Sequence, residues 1–401
     1  MAAGKGDVAM ASINLRNRRR LVSVLLLAAT IVLAALWSTR PAPADPFYEP
    51  PSSAIGPPGR LIRAEPFSRN VSSRAQGWRI LYATTRADGT PAVASGLVVV
   101  PRAPSAGPRP TIAWAHGTTG IAQGCAPSRL VDPFQNVPAV GAVIGNGWAY
   151  VASDYVGLGT GGGHAYLVGE EAARGVLDAV RAARQIPEAH LGTQTIVWGH
   201  SQGGHSALWT GASAYAPDVP LAGVAAMAPA SDLPALFTAS ADNVFGKIVS
   251  AYVVTRYAAA YPEVRPADYG ADRMLVRAIA NRCVGGREVI IPAIEALLVG
   301  PIFTRPPREG PLGARLAENV PTGGVAAPLL IAQGEADDLV LPAIQDGYVA
   351  ARCRAGQPID YRRYAGRDHL SLLAADSPFP RELVAWTRDR IAGKPAADRC
   401  A

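Results

Sequence analysis

Apolar and polar positions along this chain change their rhythm near residue 110. Before it, residues 77–84 and 92–100 alternate, and Asp88-Gly89-Thr90-Pro91 stands between them, which predicts an antiparallel hairpin. After it come short, mostly apolar runs at 111–115, 147–153, 195–198, 221–228 and 327–332, and a last strand at 358–364 that carries charged positions. Such runs suit strands buried on both faces. Between them lie helical patterns. In 169–185, Ala173, Val176, Leu177 and Val180 recur on one side, and 383–391 forms a closing helix. Buried strands alternating with helices predict an α/β chain, a mostly parallel sheet covered on both faces with the hairpin at its edge.

One interval breaks this rhythm. About a hundred residues separate the runs at 221–228 and 327–332, more than one crossover needs. The stretches 236–261, 271–283 and 287–299 are helical and apolar over wide faces. They predict a helical cap at about 232–325 over the mouth of a site, with a second independent domain as the alternative. Residues 45–75 are rich in Pro, Ser and Gly and predict an extended arm lying on the domain.

Charge redraws the N-terminus. The net charge is +7, yet Lys5, Arg16, Arg18, Arg19, Arg20 and Arg40 stand against Asp7 alone in the first forty residues. The rest of the chain is close to neutral, which argues against a nucleic-acid partner. Arg16 to Arg20 precede the uncharged apolar run 21–37, and Ala42-Pro43-Ala44 offers an A-x-A cleavage site. Residues 1–44 are therefore expected to be a signal peptide or a membrane anchor, and 45–401 a catalytic domain, secreted or held in the cell envelope. With 49% apolar and 17% charged residues the chain can build a large core. An even set of cysteines in an exported chain, Cys125, Cys283, Cys353 and Cys400, predicts two disulfides, with three pairings open. Their spacing is not that of a zinc site and no H-E-x-x-H occurs, so neither a metal nor another cofactor is expected.

The chemistry centres on Thr195-Ile196-Val197-Trp198-Gly199-His200-Ser201-Gln202-Gly203-Gly204, an apolar strand running into Gly-x-Ser-x-Gly and then a small-residue helix. That is the order of a nucleophile elbow, which lifts a serine to the tip of a tight turn at a helix N-terminus. A serine hydroxyl needs a base to become a nucleophile. Of six histidines, only His369 follows the last strand, where this architecture places the base. His200 lies within the elbow and is expected to point away. His116 reads as structural, and His164, His190 and His205 as surface or satisfied polar positions. Asp337, after the strand at 327–332 and a glycine turn, is the expected acid, with Asp338 and Asp232 as rivals. The oxyanion donors are expected at the backbone of Gln202 and in the turn His116-Gly117-Thr118-Thr119, from Thr118 or Thr119. Gly157-Leu158-Gly159-Thr160-Gly161-Gly162 matches a dinucleotide fingerprint in spacing. No helix opens there and no acid ends the next strand, so it reads as a flexible loop near the acyl pocket.

At these residues the chain resembles the secretory lipase family of α/β-hydrolases, which includes the fungal lipase A type and many actinobacterial exported lipases. The resemblance runs from Asp45-Pro46-Phe47-Tyr48 to Cys400. It is carried by Cys125-Ala126-Pro127-Ser128, Ser153-Asp154-Tyr155 with Gly157-Leu158-Gly159, the elbow, and Asp337 with Val340. It implies a triad of Ser201, Asp337 and His369, a helical cap over an acyl tunnel, and hydrolysis of esters or triacylglycerols. It also implies the disulfides Cys125–Cys283 and Cys353–Cys400. Two features differ. The lipase A type continues past its last cysteine into a flap, where this sequence ends at Ala401. Its oxyanion turn carries an acidic residue near the position of Thr119. The expectation is an exported serine hydrolase taking a lipid or ester substrate, with contact at a membrane or lipid interface. An acyltransferase, a peptidase and a non-catalytic lipid-binding envelope protein are the alternatives.

Overall fold

The computed structural model describes residues 45–400 except 52–55, 214, 216, 272 and 286–288, together with positions 18, 22, 23, 26 and 30. The expected signal or anchor at 1–44 therefore lies almost wholly outside the described residues. Among those described, no helix is long and apolar enough to cross a membrane.

Nine strands form one sheet in the order β1-β2-β3-β5-β4-β6-β7-β8-β9. They are β1 Leu61–Phe67, β2 Ala75–Thr85, β3 Pro91–Pro101, β4 Arg109–Ala115, β5 Ala149–Val156, β6 Leu191–His200, β7 Leu221–Met227, β8 Leu329–Gly334 and β9 Asp360–Tyr364. The first three and the β3–β5 pair run antiparallel, and everything from β5 to β9 is parallel. Register aligns the C-terminal ends of the parallel strands: Ala115 pairs with Gly199, and Gly199 with Ala226.

The apolar runs are explained by burial on both faces. In β6, Val197 faces a core shared with helices α2 (Gly169–Ala183), α3 (Gln202–Ala212) and α9 (Pro342–Arg354). Ile196 and Trp198 face the opposite core, under α1 (Val140–Gly145) and α10 (Phe379–Ile391). Side chains alternate across a strand, so both sets must be apolar. Trp198 satisfies its one donor on Thr387 Oγ1 at 3.1 Å.

Helices α4 (Leu233–Ala239), α5 (Val244–Ala260), α6 (Met274–Ala280), α7 (Ile290–Leu298) and α8 (Gly310–Glu318) form an insert between β7 and β8. Its core joins Phe237, Ile248, Tyr252, Tyr257 and Leu312 to Ile121, Tyr166, Leu167 and Val340. Those last residues belong to loops beyond the C-terminal ends of the parallel strands, so the insert sits over that edge. Two details differ from expectation. The stretch 236–261 is two helices, because Asn243 accepts from Gly246 N and caps a new helix. A further helix, α8, lies where none was expected.

The arm at 45–75 is also more regular than expected. Pro46–Tyr48 is a 3-10 turn whose Phe47 and Tyr48 are buried against Leu81 and Val93, and β1 adds an edge strand. Arg79 ties both pieces down through Asp45 (2.6 Å) and Glu65 (2.7 Å). The loop at 157–163 is packed rather than loose. Leu158 is fully buried, and Thr160 Oγ1 donates to Val93 O at 2.6 Å. Of the three cysteine pairings, the structure has Cys125–Cys283 and Cys353–Cys400.

Candidate active site

Ser201 stands between β6 and α3 with φ 57° and ψ −119°, a left-handed conformation that costs about 1–3 kcal/mol and must be held from outside. Three main-chain groups hold it. Its N–H donates to Met227 O (2.9 Å), and its carbonyl accepts from His205 N (3.1 Å) and Ala230 N (3.2 Å). The glycines around it are steric necessities. A Cβ on Gly203 would lie 1.9 Å from Ala115 O, and one on Gly199 2.0 Å from Gly203 O. Helix α3, opening at Gln202, directs its unpaired N–H groups and positive end toward the serine.

Asp337 and His369 lie on the loops after β8 and β9 and meet there. His369 Nδ1 is 2.8 Å from Asp337 Oδ2, and both residues are buried. A carboxylate only accepts, so Nδ1 carries the proton and Nε2 is left with its lone pair. The carboxylate is fixed at both oxygens. Gln333 Nε2 donates to Oδ2 (3.0 Å), while Leu339 N (2.9 Å) and Val340 N (2.8 Å) donate to Oδ1. The rivals are employed elsewhere. Asp338 is exposed, and Asp232 caps α4 by accepting from Ala235 N.

His200 does not point away. Its Nε2–H donates to the backbone carbonyl of His369 at 2.9 Å, and the two rings pack 4.6 Å apart between centroids. Burial, then the neighbouring His369, push its pKa well below the usual histidine value, so it stays neutral as a donor. His164 is not a bland position either. It is buried beside the elbow, with Nε2 2.9 Å from Gln202 Nε2 and Nδ1 3.2 Å from Val156 O. Only one protonation pattern satisfies both contacts: Nδ1–H donates to Val156, and the amide of Gln202 donates to Nε2. Burial, then His116 and Arg256, depress its pKa to about 3. His205 is likewise buried, bonded to Asn319 O, with its pKa lowered to about 4. His116 is structural: Nδ1 donates to Gly117 O at 2.6 Å. His190 is the left-handed residue that ends the turn before β6.

The turn after β4 runs alongside the elbow. Thr118 Oγ1 bonds Tyr166 OH at 2.7 Å, and Thr119 Oγ1 is buried without a partner. The strip is tied to the helical insert, because Val284 N donates to Thr119 O (2.8 Å) and Cys125 joins Cys283. The motifs that carry the family resemblance converge behind it. Asp154 Oδ1 accepts from Ser128 N and its Oδ2 from Ser95 Oγ and Ser128 Oγ, and Tyr48 OH reaches Ser128 Oγ at 2.9 Å. Sequence reasoning found each motif but not that they share one buried carboxylate.

Two cavities meet at Ser201 and His369. An outer cleft of about 260 Å3 runs past Thr119, His200 and Val289 to exposed Asp132 and Asn136. An inner cavity of about 30 Å3 lies under α4 and α5. Thr118, Ser201, Phe245, Leu339 and His369 line both. Gln202 lines only the inner cavity, and Thr119 only the outer. Among the described residues no cluster of His, Cys, Asp or Glu is arranged to hold a metal ion.

Residues 135–300 match the family model described as Secretory lipase. A relative named Lipase A, from Moesziomyces aphidis, is 26% identical over 235 residues, 52% of this chain and 50% of that protein. The chain thus spans about half the length of the curated relative it matches. Candida antarctica lipase A in its closed state superposes with a TM-score of 0.72 at 19% identity, over 89% of this chain and 88% of that one. The rice cell wall degrading esterase LipA from Xanthomonas oryzae gives 0.66 at 20% identity, over 85% of this chain and 100% of that one. At such identities these two likenesses speak for the fold alone. The chain has an α/β-hydrolase fold, and its residues 135–300, which hold the elbow and most of the helical insert, are similar to the secretory lipase family.

Proposed function

We propose that this chain is an exported serine hydrolase that cleaves carboxylic esters of apolar acyl groups, lipid esters such as triacylglycerols among them, through an acyl-enzyme. The observation that carries this reading is the 2.8 Å pairing of His369 Nδ1 with Asp337, on the wall of the cavities that Ser201 lines. Ser201 Oγ attacks the ester carbonyl while His369 Nε2 takes its proton. Asp337 holds the imidazole tautomer and balances the imidazolium. Negative charge on the carbonyl oxygen is met by the backbone N–H of Gln202 and one from Thr118 or Thr119. Thr118 is favoured because it lines both cavities with Ser201. The imidazolium then protonates the departing alcohol. A water molecule, deprotonated by the same nitrogen, releases the acid and restores Ser201.

Helices α4 to α8 act as the cap in this reading, and residues 1–44 as signal or anchor. Lipid-interface contact is supported by the insert's surface. Ile290, Ile294, Leu297 and Leu298 of α7 are exposed, and Val289, at the start of that helix, lines the outer cleft. Exposed apolar side chains on a helix that begins at the cleft suit a lipid surface.

The test is hydrolysis of p-nitrophenyl butyrate by the purified protein and by Ser201→Ala, with a serine-reactive phosphonate as a second probe. Hydrolysis that falls by ~10^6-fold in the variant, with phosphonate adduct only on the parent, is expected. A folded parent that neither hydrolyses the ester nor takes the phosphonate would make it a binding protein on a hydrolase scaffold.

A further inference from the structure

The two cavities at Ser201 differ in kind, and the difference sorts the two halves of the ester. The outer cleft reaches exposed residues, Asp132, Asn136 and Leu370. The inner cavity is lined only by buried and half-buried residues. Its far wall is Leu236, Phe237 and Val249, backed by Tyr166 and Leu167, and the hydroxyl of Ser240 is occupied by Leu236 O at 2.8 Å. Acyl transfer gives the two halves different fates. The alcohol leaves first and must reach solvent. The acyl group stays on Ser201 until water arrives by the route the alcohol has vacated. A small cavity walled by buried apolar side chains suits the half that stays, and a cleft that reaches exposed residues the half that goes.

The length of the acyl group then follows from the space. About 30 Å3 admits roughly two water-sized spheres, at ~10–15 Å3 each. The reason it is so small is local. Helices α4 and α5 meet at a tight turn, where a Cβ on Gly246 would lie 1.7 Å from Ser240 O. The half-buried Phe245 ring, one residue earlier, stands where the two cavities join.

Resting on the hydrolase reading above, we infer that the inner cavity is the acyl site and that the substrates are short-chain esters, with acyl groups of about two to four carbons on a bulkier alcohol. The long-chain acyl tunnel that the family resemblance implies would need more room than this cavity of about 30 Å3 offers.

The experiment measures kcat/KM for p-nitrophenyl acetate, butyrate and octanoate with the full protein, Ser201→Ala, Val249→Ala and Leu236→Ala. Thermal melts establish which variants are folded. The parent is expected to favour acetate or butyrate over octanoate by at least ~10-fold, the scale on which one misplaced methylene counts in a tight pocket. Shortening Val249 or Leu236 deepens the cavity, so the octanoate-to-butyrate ratio is expected to rise about 5-fold or more in whichever variant folds. A parent whose kcat/KM climbs from butyrate to octanoate overturns the inference. So does a folded pocket variant with an unchanged ratio. Absence of any Ser201-dependent hydrolysis would instead bring down the hydrolase reading itself, so the two failures are distinct.

Discussion

Asp337→Asn places the perturbation where the site has least freedom. Two backbone donors, Leu339 N and Val340 N, fix Oδ1, and two side-chain donors, His369 Nδ1 and Gln333 Nε2, share Oδ2. An amide has one acceptor oxygen. The backbone donors cannot turn, so that oxygen stays with them and the NH2 group is left facing His369 and Gln333. His369 escapes the donor–donor clash by moving its proton from Nδ1 to Nε2. The nitrogen that should take the serine proton is then already protonated. A wrong tautomer of this kind costs about 10^4 in kcat in other serine hydrolases, equivalent to ~5.4 kcal/mol of transition-state stabilisation. The fold should survive, because packing is unchanged and the lost bond to Gln333 is worth ~1–3 kcal/mol. The assay is steady-state hydrolysis of p-nitrophenyl butyrate beside a urea melt, with Asp338→Asn as the control. Asp338 is exposed, so its variant should keep its rate within about 2-fold, as surface substitutions usually do. A folded Asp337→Asn with kcat within 10-fold of the parent would refute the reasoning, and a loss in Asp338→Asn instead would move the acid by one residue.

Two further outcomes are expected. Gly203→Ala puts a methyl carbon 1.9 Å from Ala115 O, where backbone on both sides has no room to yield, so the protein should lose ~3 kcal/mol or more; an unchanged urea midpoint would contradict the elbow geometry. Acid sensitivity should come from buried neutral histidines, His164 with its pKa near 3, His205 near 4 and His200 well below normal, all chiefly through burial. The unfolded chain protonates them near ~6.5 and the folded one does not. Stability is therefore complete above that value and falls as pH drops toward 3–4, by up to ~1.4 kcal/mol per pH unit for each histidine. Urea midpoints at pH 7 and 4.5 should differ markedly, and His205→Asn should reduce the difference. A flat profile would mean these side chains find charge partners.

What could be read in the sequence was what is local. The strand, turn and helix around Ser201 follow one another in the chain, and the glycines that permit the turn flank it. The hairpin β2–β3 declares itself in alternation, and the parallel strands β4 to β8 in mostly apolar runs. What escaped depended on distant partners. The contact of His200 with His369 spans 169 positions and that of His164 with Gln202 spans 38, and neither histidine carries a local mark of it. Strand β1 was missed because it lies half-exposed at the sheet edge, interrupted by Pro66, with weak alternation. The break between α4 and α5 did have a signal, the capping Asn243, but an apolar run on either side outweighed it.

The two disulfides also settle how the molecule would carry a mechanical load. Tension applied between residues 45 and 400 passes from Cys125 straight to Cys283 and from Cys353 straight to Cys400. Everything between the members of each pair is shielded. Ser201 and β7 lie in the first shielded loop, His369 and β9 in the second, while β8 and Asp337 lie on the loaded stretch between them. The stretch before Cys125, with β1 to β4, is loaded as well, but of the loaded strands only β8 leads directly to Asp337. Force that drew β8 from between β7 and β9 would carry the carboxylate away from His369, which its own disulfide loop holds back.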